Sequence, residues 1–132
     1  YQLPIHEIRN EWAKLKEYVD LALEQSKCDD YGVDDVYRQI SSGVWKLYVI
    51  EKNGSYKGAV VVNFIKYPKD TVAYICAIGG QGVTEDNLVV DFFQQLKEAG
   101  ATRVQGAARP SVVRLWHKIG MYEKYSIVEA KL

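Results

Sequence analysis

An eight-residue run near the middle of the chain, TVAYICAI, constrains the fold more than any other segment. Residues 71–78 are almost all apolar, without the alternation of polar and apolar side chains that marks a strand with one face in water. A strand covered on both faces can be apolar throughout. We therefore expect residues 71–78 to form a central strand in a sheet that other elements cover on both sides.

Helical and strand patterns precede this run. Apolar residues recur every three or four positions from Ile5, the spacing of one helical face: Ile5, Ile8, Trp12, Leu15, Val19 and Leu23. Residues 36–40 predict a second, short helix. Residues 44–51 and 56–67 predict two strands, and Asn53-Gly54 between them suits a hairpin turn because both residues tolerate positive φ.

Two more helices and two more strands are predicted after the apolar run. Thr84 can cap a helix that Gly100 closes, and Pro110 suits the first turn of a last helix that ends at Gly120. The residues expected to face inward are Val89, Phe92, Phe93 and Leu96 in the first of these helices, and Val112, Leu115, Trp116 and Ile119 in the second. Residues 102–108 are strand-like, and residues 122–132 alternate well enough to predict a closing strand.

Composition limits the classes of partner. The 132 residues carry 17 Lys and Arg against 17 Asp and Glu, so no overall field attracts nucleic acid or an anionic membrane surface, and we expect neither as a partner. No apolar run approaches the roughly 20 residues of a membrane span. Cys28 and Cys76 lie far apart without a CxxC or Cys/His pattern, which argues against a disulfide framework and a metal site. We expect one domain, residues 1–132, in a reducing cytoplasm.

The order of elements resembles the GNAT (Gcn5-related N-acetyltransferase) fold, with its first strand short or absent and the opening YQLP as a candidate remnant. The family's penultimate segment often reads N-x-x-A-x-x-L-Y-x-x-x-G-F. RPSVVRLWHKIGM at residues 109–121 has that spacing, with Leu115 and Gly120 matching outright. The resemblance implies an α/β (α+β) fold: a mixed, mostly antiparallel sheet with helices on both faces.

A closer resemblance is to small GNAT-like proteins encoded by tailed phages and prophages. The matching pieces are SSGVWKLYVIE, IKYP, AIGG and AARPSVVRLWHKIGM, which together sample residues 41–121. This likeness implies a phage origin and a GNAT-like fold, and it does not by itself imply acetylation.

In working GNAT enzymes the loop after the central strand follows [QR]-x-x-G-x-[GA], and its backbone N–H groups hold the coenzyme A pyrophosphate at a helix N-terminus. GGQGVTED at residues 79–86 offers glycines and Gln81 without that spacing. The resemblance implies acetyl-coenzyme A as cofactor. The candidate cofactor-binding residues are Ala77, Ile78, Gly79, Gly80, Gln81, Gly82, Val83 and Arg109.

A tight structural turn is the alternative interpretation of this loop. Glu85 and Asp86, expected in the first turn of the next helix, would repel a pyrophosphate, and no cation occurs between Lys69 and Lys97. Compensating charge would have to come across space from one of three arginines: Arg103, Arg109 or Arg114. Arg109 itself suits either a phosphate contact or a structural salt bridge.

The catalytic residue is not identified by the sequence. Trp116 stands where many GNAT enzymes place a tyrosine that protonates the departing coenzyme A thiolate, and an indole N–H has no useful acidity. Tyr74 and His117 are candidates, with a buried structural tyrosine and a surface histidine as alternatives, and Cys76 is expected to be an inert core residue.

Two functions stay open at this point. One is an N-acetyltransferase with an unknown amine acceptor. The other is an inactive phage protein, acting in the virion or binding a phage or host protein, and located in the host cytoplasm or the virion.

Overall fold

The computed structural model describes residues 1–81 and 85–132. Within these residues the chain forms four helices and four strands. Their bounds, in chain order, are α1 (Ile5–Gln25), α2 (Val33–Ser41), β1 (Lys46–Lys52), β2 (Ser55–Lys66), β3 (Thr71–Gly80), α3 (Asp86–Glu98), β4 (Arg103–Gly106) and α4 (Pro110–His117).

The strands form one mixed sheet in the order β1-β2-β3-β4. β1 pairs with β2 and β2 with β3 in antiparallel fashion, whereas β3 and β4 are parallel. Asn53 and Gly54 make the predicted hairpin turn with φ values of 55° and 78°. The opening residues are the expected remnant of a further strand, because Gln2 forms a single antiparallel bridge with Tyr48.

Helices cover both faces of the sheet, as the apolar central strand predicts. α1 and α2 bury their apolar faces, including Leu15 and Ile40, against one side of β1, β2 and β3. α3 packs on the opposite side through Leu96, with Phe92 and Phe93 half-buried around it. β3 lies between these two layers, and both Val72 and Ala73, which alternate in direction, are fully buried.

The second helix begins earlier than residues 36–40 predict. The Gly32 backbone N–H donates to Asp35 Oδ2 at 2.9 Å, which satisfies a group that would otherwise lack a partner at the helix start. This cap is not evident from the sequence, because Asp34 and Asp35 follow a polar stretch typical of a loop. α2 therefore gains three residues at its N-terminal end.

The predicted closing strand is wrong. Residues 121–132 form no strand, and Ile127 and Val128 are 77% and 91% exposed. In an extended chain these two neighbours point in opposite directions, and each direction also carries charged residues. The segment therefore has no single apolar face to bury, and alternation alone overestimated its tendency to pair.

The prediction that Leu115 faces inward is also wrong. Leu115 is 40% exposed, whereas its neighbour Trp116 is buried against the sheet with 9% exposure. The two side chains point about 100° apart on the helix. α4 is only eight residues long, and the indole of Trp116 occupies the position that faces the sheet.

Candidate functional site

A β-bulge interrupts the central strand at Cys76. Val62 pairs with Ile75 and the adjacent Val61 pairs with Ala77, so Cys76 is an extra residue on β3. A bulge bends its strand and turns backbone groups out of the ladder. The bulge therefore separates a regularly paired half of β3 from a half with different surroundings.

Beyond the bulge, β3 has a partner on one side only. Its parallel pairing with β4 covers four positions and ends where Ile75 meets Gly106. Its pairing with β2 continues to Gly80. Residues 76–80 thus present backbone groups on the side away from β2, where no described strand pairs with them. We call this side of residues 76–80 the open edge.

The loop between α1 and α2 reaches the bulge through Tyr31. The Tyr31 hydroxyl donates to the Cys76 carbonyl oxygen at 2.8 Å. Burial raises the pKa of Tyr31, and the nearby Cys76 and Cys28 thiols raise it further, so the phenol stays protonated as a donor. Tyr31 was not predicted from the sequence, because nothing in its local pattern indicates a contact with a residue 45 positions away.

Tyr74, a candidate catalytic residue, lies on the same side of the sheet as Cys76. Burial raises the pKa of Tyr74, the Cys76 thiol adds to the rise, and the nearby Ala107 backbone opposes it. The phenol thus lies near the point where the chain leaves β4. Burial also raises the pKa of the Cys76 thiol to about 12, which agrees with the expectation that Cys76 is inert.

Ala77 and Ile78, two predicted cofactor-binding residues on β3, use their side chains for packing. The Ala77 side chain is buried on the α1 side, and Ile78 packs on the α3 side. Each can therefore serve a ligand at the open edge only through its backbone. Gly82 and Val83 lie outside the described residues, as does Thr84, the expected helix cap.

Packing accounts for the two glycines that follow. A Cβ on Gly79 would lie 2.9 Å from the Tyr18 carbonyl oxygen of α1, so only glycine lets the helix and strand approach this closely. Gly80 has φ of +119°, and a Cβ there would collide with the backbone of Lys57. The Gln81 N–H donates to the Lys57 carbonyl oxygen at 2.8 Å, so it is not free to bind an anion. These contacts match the tight-turn interpretation.

The register of β2 and β3 supplies a cation that the sequence analysis missed. Lys57 lies beside the Gly79–Gly80 turn because its neighbour Gly58 pairs with Gly80. Pairing β2 with β3 residue by residue from the YPKD turn predicts Lys57 opposite Gly80. The bulge moves the observed pairing by one residue, to Gly58.

The three arginines considered from the sequence have different surroundings. Arg103 is committed to Asp70, to which its Nε and Nη2 donate at 2.7 Å and 3.1 Å. Arg109 is the exposed N-cap residue of α4, at the sheet end where β3 and β4 both finish. Arg114 is exposed on α4.

His117 lies at the end of α4 away from Arg109, and Glu85 lies just before the first residue of α3. His117 is exposed at the C-terminal end of α4, about 12 Å along the helix axis from Arg109, and its Nδ1 lies 3.3 Å from the Met121 carbonyl oxygen. Glu85 is the N-cap residue of α3, and the helix starts at Asp86, so the expectation that both acids lie in its first turn is wrong for Glu85.

Trp116 packs as a core aromatic. Its Cη2 and Cζ3 atoms lie 2.8 Å from the position that a Cβ on Gly106 would take. The indole thus closes the end of β4, next to the open edge, and holds α4 on the sheet.

Metal and membrane features are not seen in the described ranges. No group of three or more His, Cys, Asp or Glu side chains that could hold a metal ion occurs in residues 1–81 and 85–132. In the same ranges, every helix is too short or too polar to span a bilayer.

Comparison with solved structures identifies the fold. An aminoglycoside acetyltransferase from an uncultured soil metagenomic sample, in complex with sisomicin, superposes with a TM-score of 0.70 at 10% identity over 100% of this chain and 93% of its own. A predicted acetyltransferase with acetyl-CoA from Clostridium acetobutylicum gives 0.67 at 12% identity over 99% and 94%.

Glucosamine-6-phosphate N-acetyltransferase from Arabidopsis thaliana gives a TM-score of 0.62 at 20% identity over 100% of this chain and 95% of its own. No family model matches the chain, and no curated protein matches it in sequence. The protein has the GNAT fold, and at these identities the likeness establishes the fold alone.

Proposed function

We propose that the protein is an acyl-coenzyme A-dependent N-acetyltransferase that uses acetyl-coenzyme A and an amine acceptor. The observation that carries the proposal is the open edge. β3 and β4 part after Gly106, and an extended arm with amide groups can pair with residues 76–80 as another strand would. The fold is shared with acetyltransferases, one of which was solved with acetyl-CoA.

The residues around the open edge fit such a ligand in part. Ala77 and Ile78 offer backbone groups, and Lys57 and Arg109 are two cationic residues at this end of the sheet for a pyrophosphate. The Gln81 N–H is already used by Lys57. When bound, the cofactor supplies an acetyl group activated as a thioester.

The chain's own contribution is mainly positioning and polarisation. Backbone N–H groups turned out at the Cys76 bulge can stabilise negative charge on a carbonyl oxygen at the open edge. The Tyr74 phenol carries its proton at neutral pH and lies near Ala107, so it is the candidate proton donor, although burial raises its pKa and makes it a weaker acid. His117 lies at the far end of α4 and is a poorer candidate for this role.

Calorimetric titration with acetyl-coenzyme A tests the proposal directly. We expect saturable heat, and Lys57→Met is expected to weaken binding about three- to tenfold through loss of a cation near the phosphates. Lys52→Met, on the exposed end of β1, is the matched control and should change nothing. Absence of heat with the wild-type protein at millimolar ligand would end the idea.

A second candidate is a phage-encoded protein that keeps the fold without the chemistry and serves in the virion or as a binder of a phage or host protein. The use of the Gln81 N–H within the fold, and the buried Trp116 in place of a tyrosine, favour it. Mass spectrometry of purified phage particles tests the virion role. Absence at stoichiometric copy number would remove that role, whereas its presence together with no acetyl-coenzyme A binding would favour this candidate over the enzyme.

A further inference from the structure

A separate cavity lies between α3 and the sheet, on the face opposite Tyr31 and Cys76. Its volume is about 270 Å³, just below the ~300 Å³ at which typical small-ligand sites begin. Strands β1, β2 and β3 form its floor, with Val60 and Ile78 as apolar residues, and α3 forms its wall. We call it the α3 cavity.

Tyr48 brings a hydroxyl group to this cavity that has no described hydrogen-bond partner. Tyr48 lines the cavity and is only 4% exposed, with its ring edge-on to Phe92 at a centroid distance of 5.3 Å. Its hydroxyl makes no hydrogen bond with any described residue. The hydroxyl oxygen is accessible from the cavity, where water or a ligand can satisfy it. The α3 cavity therefore presents a hydroxyl that a ligand can bind.

The charged side chains that line the cavity are both acidic. Two carboxylates line it, Glu51 from β1 and Asp91 from α3, and none of its described lining residues is basic. The Tyr1 hydroxyl donates to Glu51 Oε2 at 2.6 Å, and Gln95 Nε2 donates to Asp91 Oδ2 at 3.0 Å. These contacts orient both carboxylates while leaving one oxygen of each without a described partner.

We propose that the α3 cavity binds a small organic amine: its ammonium group lies between Glu51 and Asp91, its apolar body on Val60 and Ile78, and a hydroxyl or similar group at Tyr48. Two acidic side chains, an apolar floor and one hydroxyl that faces the cavity select an amphipathic cation over a neutral or anionic molecule. This site lies on the other side of the sheet from the Tyr31–Cys76 contact, so it does not depend on acetyl-coenzyme A binding at the open edge.

Nuclear magnetic resonance titration of the wild-type protein tests the proposal with three probes of nearly equal size. Tyramine has the ammonium and the phenol, tyrosol replaces the ammonium with a hydroxyl, and phenethylamine lacks the phenol hydroxyl. We expect tyramine to shift the amide signals of Val60 and Val89 at the cavity, and to leave those of Tyr31 and Gly32 unchanged. Tyrosol should bind about tenfold more weakly, as loss of one charge-assisted contact implies.

Matched variants assign the contacts. Asp91→Asn should weaken tyramine binding about three- to tenfold. Glu98→Gln should have no effect, although Glu98 accepts from Gln94 on the same helix in the way that Asp91 accepts from Gln95. Tyr48→Phe should weaken tyramine binding and leave phenethylamine binding unchanged.

Three outcomes would each overturn the inference. These are no shifts with 10 mM tyramine (about 100 times the concentration of a typical sample), equal affinity for tyrosol and tyramine, and shifts confined to the α1 face of the sheet. The last outcome would instead point to an acceptor pocket at the open edge, and calorimetry with acetyl-coenzyme A would still decide the proposed function separately.

Discussion

The contact between Gly106 and Trp116 can be tested by a change of one methyl group. In Gly106→Ala the added Cβ would lie 2.8 Å from Cη2 and Cζ3 of the indole, closer than ordinary van der Waals contact. Overpacking of this kind costs about 1–3 kcal/mol. For a chain of 132 residues, that corresponds to a fall in melting temperature of roughly 3–10 °C.

Introducing Gly106→Ala into a Trp116→Phe variant shows whether the contact with the indole causes the loss of stability. Trp116→Phe removes both indole atoms that make the contact and is itself expected to cost about 1–3 kcal/mol as a large-to-small change. In that background Gly106→Ala should cost nearly nothing, or stabilise by about 0.5 kcal/mol, because alanine restricts the unfolded chain more than glycine does. The predicted coupling energy between the two sites is therefore about 1–3 kcal/mol.

Urea unfolding followed by far-ultraviolet circular dichroism measures all four proteins. Circular dichroism is preferred to fluorescence because one variant removes a tryptophan. Equal costs of Gly106→Ala in the two backgrounds, within 0.5 kcal/mol, would refute the contact and with it the docking of α4 on the end of β4.

Three further predictions concern side chains described above. Tyr31→Phe should lower the free energy of unfolding by about 0.5–1.5 kcal/mol because it orphans the Cys76 carbonyl, whereas Tyr48→Phe should cost nothing because its hydroxyl has no described partner; urea unfolding compares them. The hydrogen bond from Arg103 holds the pKa of Asp70 below its usual value. The stability that ionised Asp70 contributes is therefore complete above about pH 5 and is lost as the pH falls through 4 and below. In a profile of melting temperature against pH, Asp70→Asn should lack that loss at acid pH. Cys76 should react with iodoacetamide at pH 8 at least about 100-fold more slowly than free cysteine, since burial keeps it a thiol, and peptide mapping that finds rapid labelling would contradict its assigned burial.

The layered fold was predictable from the sequence because its main signals are periodic. The helical spacing from Ile5 and the uninterrupted apolar run at residues 71–78 each require a burial pattern that only helices on two faces of a sheet supply. The Asn53-Gly54 turn was predictable from local backbone preference. These features depend on neighbours along the chain.

The features that define the candidate site depend on neighbours in space, and the sequence did not reveal them. The Cys76 bulge changes the register by one residue in a run where every side chain is apolar, so no pattern marks it. Lys57 comes beside the Gly79–Gly80 turn only through that register, and Tyr31 reaches Cys76 only through a loop contact. Residues 122–132 were wrongly predicted as a strand for a related reason. Their alternation is visible in the sequence, but the segment has no apolar face that could pack against the sheet.

The shortness of β4 has a consequence for how the molecule opens. Four parallel pairs, the Trp116 contact and the Arg103–Asp70 ion pair join β4 and α4 to the rest of the sheet, whereas β2 and β3 pair along most of their length. Native-state hydrogen exchange should therefore find β4 and α4 releasing their amide protons together, at a lower free energy than β2 and β3. A ligand that pairs with the open edge would slow that release, so exchange at Val104 can report occupancy without any chemical turnover.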